Sequence, residues 1–457
     1  LSGRANGRTS RRFRRRASSP AVAGEQRTKV WSEHVSDDDN ASPGGLLDRR
    51  ALLRGALSLP LLTPLLPRLV RGAAHDEPAR APWMARPGEP MRPYGAPSAH
   101  ETSVQRSVMP EFGALAPGAG ASFTPLESLR GMLTPSGLHF ERHHSGVPNI
   151  EPGAYRLLVH GEVSNARIYS DASLGRLPHL SEVSFLECSG NSFWNAIEDL
   201  GERSCGELHG LFSCSEWTGV SLERILDEVR PTPEAKWLIA EGGDAAAMVR
   251  SIPLDISRRR GLIARFQNGE RLRPEQGYPV RLFLRGLEGN VSVKWLRRLK
   301  LSREPVHARD ETSKYSDMLA DGTVQQWTLE MGVKSLITSP SPGMRLPKRG
   351  VYSIEGFAWS GTGPVSRVEV SADGGKRWRN ASLDAAAAPY APVPFRIPWH
   401  WRGGEQSLVS RATDATGAVQ PTHAAWKARY APGHIYHYNA VQHWSVEPSG
   451  VVRGELR

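Results

Sequence analysis

The chain of 457 residues has only three cysteines, and none of them belongs to a Cys-x-x-Cys-His motif. We therefore expect that this chain carries no c-type haem of its own. The sequence also lacks a Gly-x-Ser-x-Gly segment and any His, Cys and Asp set with zinc-site spacing, which argues against an α/β-hydrolase and a zinc enzyme. Its Gly-Gly-Lys segment lacks the other residues of a phosphate-binding loop, so nucleotide binding is not indicated.

Long apolar runs are missing as well. The best candidate, LSLPLLTPLLPRLV at residues 57–70, is interrupted by three prolines and Arg68, and it stays below the ~20 apolar residues that a membrane span needs. DRRALLR at 48–54 precedes this run and Gly72-Ala73-Ala74 follows it. Paired arginines, a moderately apolar segment and small residues resemble a twin-arginine export signal. We therefore predict a leader over residues 1–74, a periplasmic protein and no membrane span; a short anchor is the less favoured alternative.

The positive charge is concentrated in this leader. The whole chain carries 58 Lys and Arg against 47 Asp and Glu, a net charge of +11. Residues 1–74 hold 14 basic and 6 acidic residues, so the leader accounts for +8 and the rest of the chain for +3. Hydrophobic residues at 39% and charged residues at 23% are typical of a globular protein. The charge distribution therefore argues against nucleic-acid binding.

Changes in composition predict an α+β fold with successive regions. Residues 75–125 are rich in Pro and Gly and suggest an extended arm, whereas strands and helices such as SLERILDEV alternate over 126–330. Short alternating strands between turn residues predict an immunoglobulin-like β-sandwich over 331–430. The aromatic tail, 431–457, is expected to dock on the body or on a partner.

Cys188 stands at an unusual place in the stretch SEVSFLECSGNSFW, residues 181–194. Val183, Phe185 and Leu186 indicate a strand, and the cysteine follows it at the start of a Ser-Gly-Asn turn. A thiol that a rigid strand delivers to a loop is placed for chemistry. Cys205 and Cys214 either pair with each other or remain buried and reduced.

Cationic residues occur at loop-like positions of the mixed region. Arg142-His143-His144 precedes a Val-Pro turn, and we expect the adjacent histidines to point in opposite directions, one towards a ligand and one into the core. Arg281 and Lys294 flank a Gly286…Gly289 bend, so a hairpin would bring both to one anion. Taken singly, each is as readily explained as a solvated residue at a strand edge.

Together these segments resemble the sulfite oxidase family of molybdopterin enzymes. The family's cysteine turn is similar to Cys188-Ser189-Gly190-Asn191, and its second-domain strand is similar to GFAWSG, 356–361. The remaining similar segments are Arg142-His143-His144, SEWTGVSLERIL with Trp217 and Gly219, NGERLRPEQGYPVR from Asn268 to Arg281, and Val293-Lys294-Trp295-Leu296.

This resemblance implies a fold, a cofactor and a set of site residues. The fold is a molybdopterin-binding catalytic domain over 126–330 followed by a dimerisation sandwich over 331–430. Cys188 would ligate molybdenum, for which a thiolate is a suitable soft ligand. Arg142 and Arg265 would stabilise negative charge on the sulfur oxyanion. The residues implied in cofactor binding are Arg142, His144, Ser189, Trp217, Arg281, Ser292 and Lys294.

Departures from the family pattern bear on the substrate. Ser192 and Phe193 stand where sulfite-oxidising relatives carry arginines, and Arg265 replaces the family's active-site tyrosine. With the leader and the tail YHYNAVQHWSVEP, these changes resemble family members of bacterial thiosulfate oxidation, the Sox system. The resemblance implies oxidation of sulfane sulfur on a carrier protein, electron transfer to a c-type cytochrome subunit and an α2β2 assembly. Alternatives are a cytochrome-linked dehydrogenase of free sulfite, a sulfoxide reductase, and a non-catalytic binding protein.

Overall fold

The computed structural model describes residues 84, 87, 90–110, 117–386 and 388–457. The leader predicted over residues 1–74 lies outside this part of the chain. Among the described residues, no helix has the length and apolar character to cross a membrane.

The region before residue 330 is a mixed α/β domain, as predicted. Its strands are β1 (Ser107–Pro110), β2 (Gly120–Phe123), β3 (Glu141–His143), β4 (Arg156–Gly161), β5 (Arg167–Ser170), β6 (Leu180–Glu187), β7 (Phe212–Ser221), β8 (Trp237–Gly242), β9 (Val249–Pro253), β10 (Gly261–Gln267), β11 (Glu270–Arg271), β12 (Arg281–Leu284), β13 (Leu296–Ser302), β14 (Ser316–Met318) and β15 (Val324–Gln326). Its helices are α1 (Asp171–Gly175), α2 (Phe193–Ala196), α3 (Cys205–His209), α4 (Leu222–Val229), α5 (Leu254–Arg260) and α6 (Arg309–Thr312). Short 3-10 turns cover Ala99–Glu101, Leu126–Ser128, Ser136–Leu138, Pro274–Gln276 and Gly289–Val291.

Two five-stranded sheets form the centre of this domain. One has the order β5-β4-β13-β8-β9, with β4 and β13 parallel. The other has the order β11-β10-β7-β6, and β12 also pairs with β10. A smaller sheet, β1-β2-β3, brings in residues of the predicted arm, so the arm is partly strand rather than only extended chain. Cys188 follows directly after β6, as the sequence predicts.

Helix α4 shows how the apolar pattern sets the core. Leu222, Ile225, Leu226 and Val229 are fully buried, and their spacing places them on one face of a helix. The helix ends at Val229, and the next residue, Arg230, adopts a left-handed conformation with φ of 55°. These side chains belong to one core cluster with residues of β4 and β13 and of β10 and β12, so α4 packs into the core that the two sheets share.

The second domain is a β-sandwich. Its elements are β16 (Lys334–Ser339), β17 (Gly350–Trp359), β18 (Val365–Ser371), β19 (Arg379–Asn380), β20 (Ser382–Leu383), β21 (Val393–Trp401), β22 (Gln406–Asp414), α7 (His423–Arg429), β23 (His443–Val446) and β24 (Val452–Glu455). The two sheets have the orders β16-β17-β21-β20 and β19-β18-β22-β23-β24.

The boundary predicted at residue 430 does not end the sandwich. Strand β23 pairs with β22, and β24 pairs with β23, so both lie within the region predicted as a separate tail. Only residues 431–442 follow the irregular course that the sequence suggests, and they dock on the body: the N–H of His437 donates to the carbonyl of Ser189 at 2.8 Å.

A buried ion pair joins the two domains beside Cys188. The carboxylate of Glu187, 1% exposed, accepts a hydrogen bond from Lys334 Nζ at 3.1 Å and another from Trp359 Nε1 at 2.6 Å. Lys334 and Trp359 belong to the sandwich, whereas Glu187 is the last residue of β6. A third bond, from Asn191 Nδ2 at 2.9 Å, closes the cysteine turn onto the same carboxylate. The sandwich therefore fixes the strand that presents Cys188.

We predict that Lys334→Met lowers the free energy of unfolding by about 3–5 kcal/mol, because it leaves the Glu187 carboxylate buried without its counter-charge. Urea unfolding of the purified protein measures the change. Arg396→Met is the matched control, since Arg396 pairs with Asp384 on the sandwich surface at 2.9 Å and such an exposed pair contributes at most about 1 kcal/mol. Equal destabilisation by both variants would contradict the assignment.

Candidate active site

Cys188 lies on the wall of an open cavity. The thiol is partly exposed there, and Gly190 leaves room beside it: a Cβ at position 190 would lie 3.9 Å from the sulfur. The cavity is lined by Phe140, Glu141, Arg142, His143, His144, Leu186, Cys188, Gly242, Asp244, Met248, Gln276, Arg281, Gly289, Asn290, Ser292, Val293, Lys294, Trp295 and Tyr315.

Arg281 and Lys294 reach this cavity together, although not through a regular hairpin. Strand β12 pairs with β10, whereas β13 begins only at Leu296 and belongs to the other sheet. The turn Gly289–Val291 returns the chain, and the N–H of Leu282 donates to the carbonyl of Val293 at 2.9 Å. The predicted common anion site is therefore geometrically possible.

Both cations are buried among neutral acceptors. The guanidinium of Arg281 donates to the carbonyls of Gln276 at 3.1 Å and Ser292 at 2.8 Å. Burial lowers the pKa of Arg281 to about 9. Lys294 Nζ bonds to the carbonyls of Arg142 and Glu275 and to Nδ1 of His143; burial and the charge of Arg281 hold its pKa well below the usual range. An anion between these groups would offset the free-energy cost of burying the two positive charges.

The two adjacent histidines both line the cavity, which differs from the expectation that one would pack away from it. His143 ends β3 and is held between Lys294 and Glu141, whose Oε2 lies 2.7 Å from Nε2. His144 lies past the strand end, so strict alternation no longer applies. Burial lowers the pKa of His144 to about 3, with Arg142 and Lys294 adding to the effect. Both rings therefore remain neutral near pH 7, because burial also lowers the pKa of His143 to about 4.

Ser189 and Trp217 lie behind the cavity wall rather than on it. Ser189 Oγ accepts a hydrogen bond from Asn290 Nδ2 at 3.1 Å, and Asn290 itself lines the cavity. Trp217 is fully buried, stacks on Phe283 and lies under the Arg281 guanidinium at 5.1 Å. In this arrangement both residues support side chains that face the cavity.

Arg265 is not among the lining residues, in contrast to its predicted role at the reacting sulfur. Its guanidinium bonds to Asp171 at 2.9 Å and to Nε2 of His179 at 3.2 Å. The pairing of β10 with β7 shifts register between Ala264 and Phe266, so Arg265 is the extra residue of a β-bulge. In such a bulge the side-chain direction no longer follows from strand alternation.

Tyr315 and Asn290 are site residues that the sequence analysis missed. Tyr315 lies between α6 and β14, where none of the motifs extends, and its hydroxyl is 3.3 Å from His144 Nε2. Its ring is 5.3 Å from that of Tyr436 in the docked tail. The aromatic composition of the tail was the only signal for Tyr436. Asn290 lies inside the predicted bend, but nothing in its context marks it.

All three cysteines are free. Cys205 and Cys214 are buried, which resolves the two alternatives in favour of reduced thiols. Burial raises the pKa of Cys188 above its ordinary value, while the N–H of Gly190 and the charge of Arg142 oppose the shift. A coordinated metal cation would overcome this preference, because it deprotonates a bound thiol.

Comparison with known proteins gives matches over both domains. The family described as the oxidoreductase molybdopterin binding domain matches residues 144–309, and the Mo-co oxidoreductase dimerisation domain matches 325–444. Sulfite oxidase of Gallus gallus is 33% identical over 328 residues, covering 65% of this chain and 70% of that protein. Mitochondrial sulfite oxidase of Mus musculus is 29% identical over 339 residues, covering 68% and 62% respectively.

A solved structure extends the likeness. The sulfane dehydrogenase SoxCD from Paracoccus pantotrophus superposes with a TM-score of 0.79 and 40% identity, over 83% of this chain and 98% of that one. The chain belongs to the sulfite oxidase family. It is a molybdopterin oxidoreductase whose cofactor is the molybdenum–pterin cofactor, which confirms the predicted enzyme class and fold.

The cavity fits this cofactor by its chemistry. Arg281 Nε and Asn290 Oδ1 are buried without a hydrogen-bond partner among the described residues, and such atoms normally find one. Arg281 and Lys294 supply the positive charge that a pterin phosphate requires. Cys188 would supply a thiolate ligand to the metal, and Arg142, His144 and Ser292 lie on the same surface.

Cys188→Ala should lower the molybdenum retained after dialysis while the protein stays folded, because it removes one ligand of the metal from the cavity surface. Elemental analysis and circular dichroism measure the two outcomes. Cys214→Ala is the control, since Cys214 is a buried thiol of β7 that does not line the cavity. Molybdenum retained by the Cys188 variant at the level of the control would contradict this role of Cys188.

Lys294→Met should weaken pterin retention about 10- to 100-fold, because a hydrogen bond to a charged group is worth about 1.5–3 kcal/mol. The pterin released into buffer after dialysis can be quantified by fluorescence. Lys300→Met, which changes a lysine of β13 outside the cavity, should retain the cofactor as the parent protein does. The assignment fails if the two variants lose pterin equally.

Proposed function

We propose that this chain oxidises sulfane sulfur carried on a cysteine of a carrier protein. The observation that carries the proposal is the mixed lining around Cys188, where Arg142 shares the surface with Leu186, Met248 and Tyr315. A sulfane group on a cysteine offers a negatively charged sulfur end and an apolar stem. The likeness to the sulfane dehydrogenase SoxCD, at 40% identity over 98% of that chain, supports the same choice.

The positions that depart from sulfite-oxidising relatives face the interior. Ser192 Oγ donates to Nδ1 of His209 at 2.7 Å and accepts from Lys334 Nζ at 2.8 Å. Phe193 is 6% exposed and packs in the cluster around Leu186. This turn therefore adds no cation beside Cys188, which favours a substrate with less charge than free sulfite.

The residues of the chain then have separable roles in the reaction. When bound, the cofactor supplies two-electron redox chemistry and the transfer of an oxygen atom to sulfur. Arg142 lies on the cavity and would stabilise negative charge as it develops on the oxidised sulfur. Arg281 and Lys294 would neutralise the pterin phosphate. Because the pKa of His144 is about 3, this ring stays neutral near pH 7 and adds no positive charge to the cavity.

The electrons must leave through a partner. The chain has no Cys-x-x-Cys-His segment, so we infer that a c-type cytochrome subunit accepts them one at a time. The match of residues 325–444 to a dimerisation domain supports the pairing of two chains. If each chain also binds one cytochrome subunit, the assembly is α2β2. The leader supports export to the periplasm by the twin-arginine route and a role in thiosulfate oxidation.

The test compares substrates with the enzyme co-purified with its natural cytochrome. Cytochrome reduction by carrier protein charged with sulfane sulfur should exceed that by free sulfite more than about tenfold in kcat/KM, a difference of about 1.4 kcal/mol in transition-state binding. The Cys188→Ala enzyme should reduce the cytochrome with neither donor. Equal or faster turnover of free sulfite would overturn the proposal in favour of a sulfite dehydrogenase.

A further inference from the structure

Glu141 places a negative charge on the wall of a cavity that binds an anionic cofactor. It begins strand β3 and lines the same cavity as Cys188. A lone carboxylate there would repel the pterin phosphate. Its side chain, 16% exposed, has two partners: the guanidinium of Arg106 bonds to one oxygen, and the ring of His143 bonds to the other. The part that Glu141 plays therefore depends on these two partners.

The proton on the His143 ring is fixed by what lies at its two nitrogens. Nε2 lies 2.7 Å from Oε2 of Glu141, and Nδ1 lies 2.8 Å from Nζ of Lys294. An ammonium group can only donate a hydrogen bond, and an ionised carboxylate can only accept one. The ring is neutral near pH 7. It therefore carries its single proton on Nε2, donates it to the carboxylate and accepts from the ammonium at Nδ1.

This arrangement makes His143 a well-oriented acceptor for a buried ammonium. A histidine that donates one N–H to a carboxylate is held in one tautomer and one orientation, and its other nitrogen becomes more basic. The other two bonds of Lys294 Nζ go to the carbonyls of Arg142 and Glu275, at 3.1 Å each. Because an ammonium acts on an anion as a point charge, its position decides how strongly it binds a phosphate.

Arg106 connects Glu141 to the N-terminal arm. It directly precedes β1, and its guanidinium donates to the carbonyl of His139 at 3.1 Å as well as to Oε1 of Glu141. Strand β1 pairs with β2 and β2 pairs with β3, so the arm and Glu141 belong to one small sheet. Burial would raise the pKa of Glu141, but the hydrogen bond from His143 and the charge of Arg106 bring it below its ordinary value. The carboxylate is therefore ionised, and its charge is balanced by Arg106.

We propose that Glu141 and His143 are positioning residues for the cofactor, which hold the Lys294 ammonium where it binds the pterin phosphate. Arg106 holds Glu141 in turn, so the arm takes part in retaining the cofactor. This inference goes beyond the proposed function, because it concerns the cofactor and applies to whichever sulfur compound the enzyme oxidises. A preference for free sulfite would overturn the proposed function and leave this inference intact.

The first test measures the pterin released during dialysis of cofactor-loaded Glu141→Leu, Glu141→Gln and Glu228→Leu. Glu228 is a matched control: its side chain, 17% exposed, accepts from Tyr169 at 2.9 Å and pairs with Arg224 at 3.2 Å, away from the cavity. Glu141→Leu should weaken pterin retention about 10-fold. Glu141→Gln should retain most of the cofactor, because its amide oxygen still accepts from Nε2 of His143.

Two outcomes of this test would overturn the proposal. One is retention in Glu141→Leu equal to that of the parent enzyme or of the Glu228→Leu control. The other is a Glu141→Gln enzyme that loses as much pterin as Glu141→Leu, because the hydrogen bond to His143 would then have no part in holding the cofactor.

The second test separates positioning of Lys294 from general support of β3. Adding Glu141→Leu to Lys294→Met should cause no further loss of pterin, because the carboxylate acts through the lysine. A substitution that only loosened the strand would add its effect to that of Lys294→Met. Additive losses would therefore overturn the positioning role.

The third test compares Arg106→Gln with Arg285→Gln. Both guanidinium groups are 22% exposed and pair with a glutamate, but Arg285 and its partner Glu182 do not line the cavity. Arg106→Gln should weaken pterin retention about 2- to 5-fold, the range expected for a partly exposed ion pair, and Arg285→Gln should leave it unchanged. Equal retention in the two variants would overturn the role of the arm.

Discussion

The buried carboxylate of Glu187 is the constraint on which the arrangement of this protein depends. It accepts hydrogen bonds from an ammonium group and an indole N–H of the sandwich and from an amide of the cysteine turn, with donor–acceptor distances of 2.6–3.1 Å. A buried charge is tolerable only with such complete hydrogen bonding. Because the next residue is Cys188, these bonds from the sandwich help to position the thiol. This role is separate from any part of the sandwich in dimerisation.

In the cavity in front of Cys188, by contrast, the hydrogen bonding of the buried charged groups is incomplete. Arg281 and Lys294 are buried among carbonyl oxygens and an imidazole, and Arg281 Nε has no partner within the described chain. Such a cluster destabilises the isolated protein and is retained where an anionic ligand completes it. The neutral histidines beside these cations avoid further repulsion. Fold stability and ligand affinity are therefore set by the same few side chains.

Local patterns were enough to predict Cys188 at the end of β6 and a helix at SLERILDEV, because both follow from side-chain alternation and periodicity. The direction of the Arg265 side chain could not be predicted, because a one-residue bulge changes it without changing the sequence pattern. Strand β21 escaped prediction because Pro394 and Pro398 interrupt it, although it pairs with β17 from Gly350 to Ala358. Tyr315 reaches the site from a distant loop, so only the tertiary fold could reveal it.

The most direct test of this account is molybdenum X-ray absorption of the parent enzyme and of any Cys188→Ser enzyme that can be loaded with cofactor. The account predicts one sulfur fewer around the metal in the variant, because the Cys188 thiolate supplies that ligand. An unchanged sulfur count would contradict it and would mean that the metal is held elsewhere than at the end of β6.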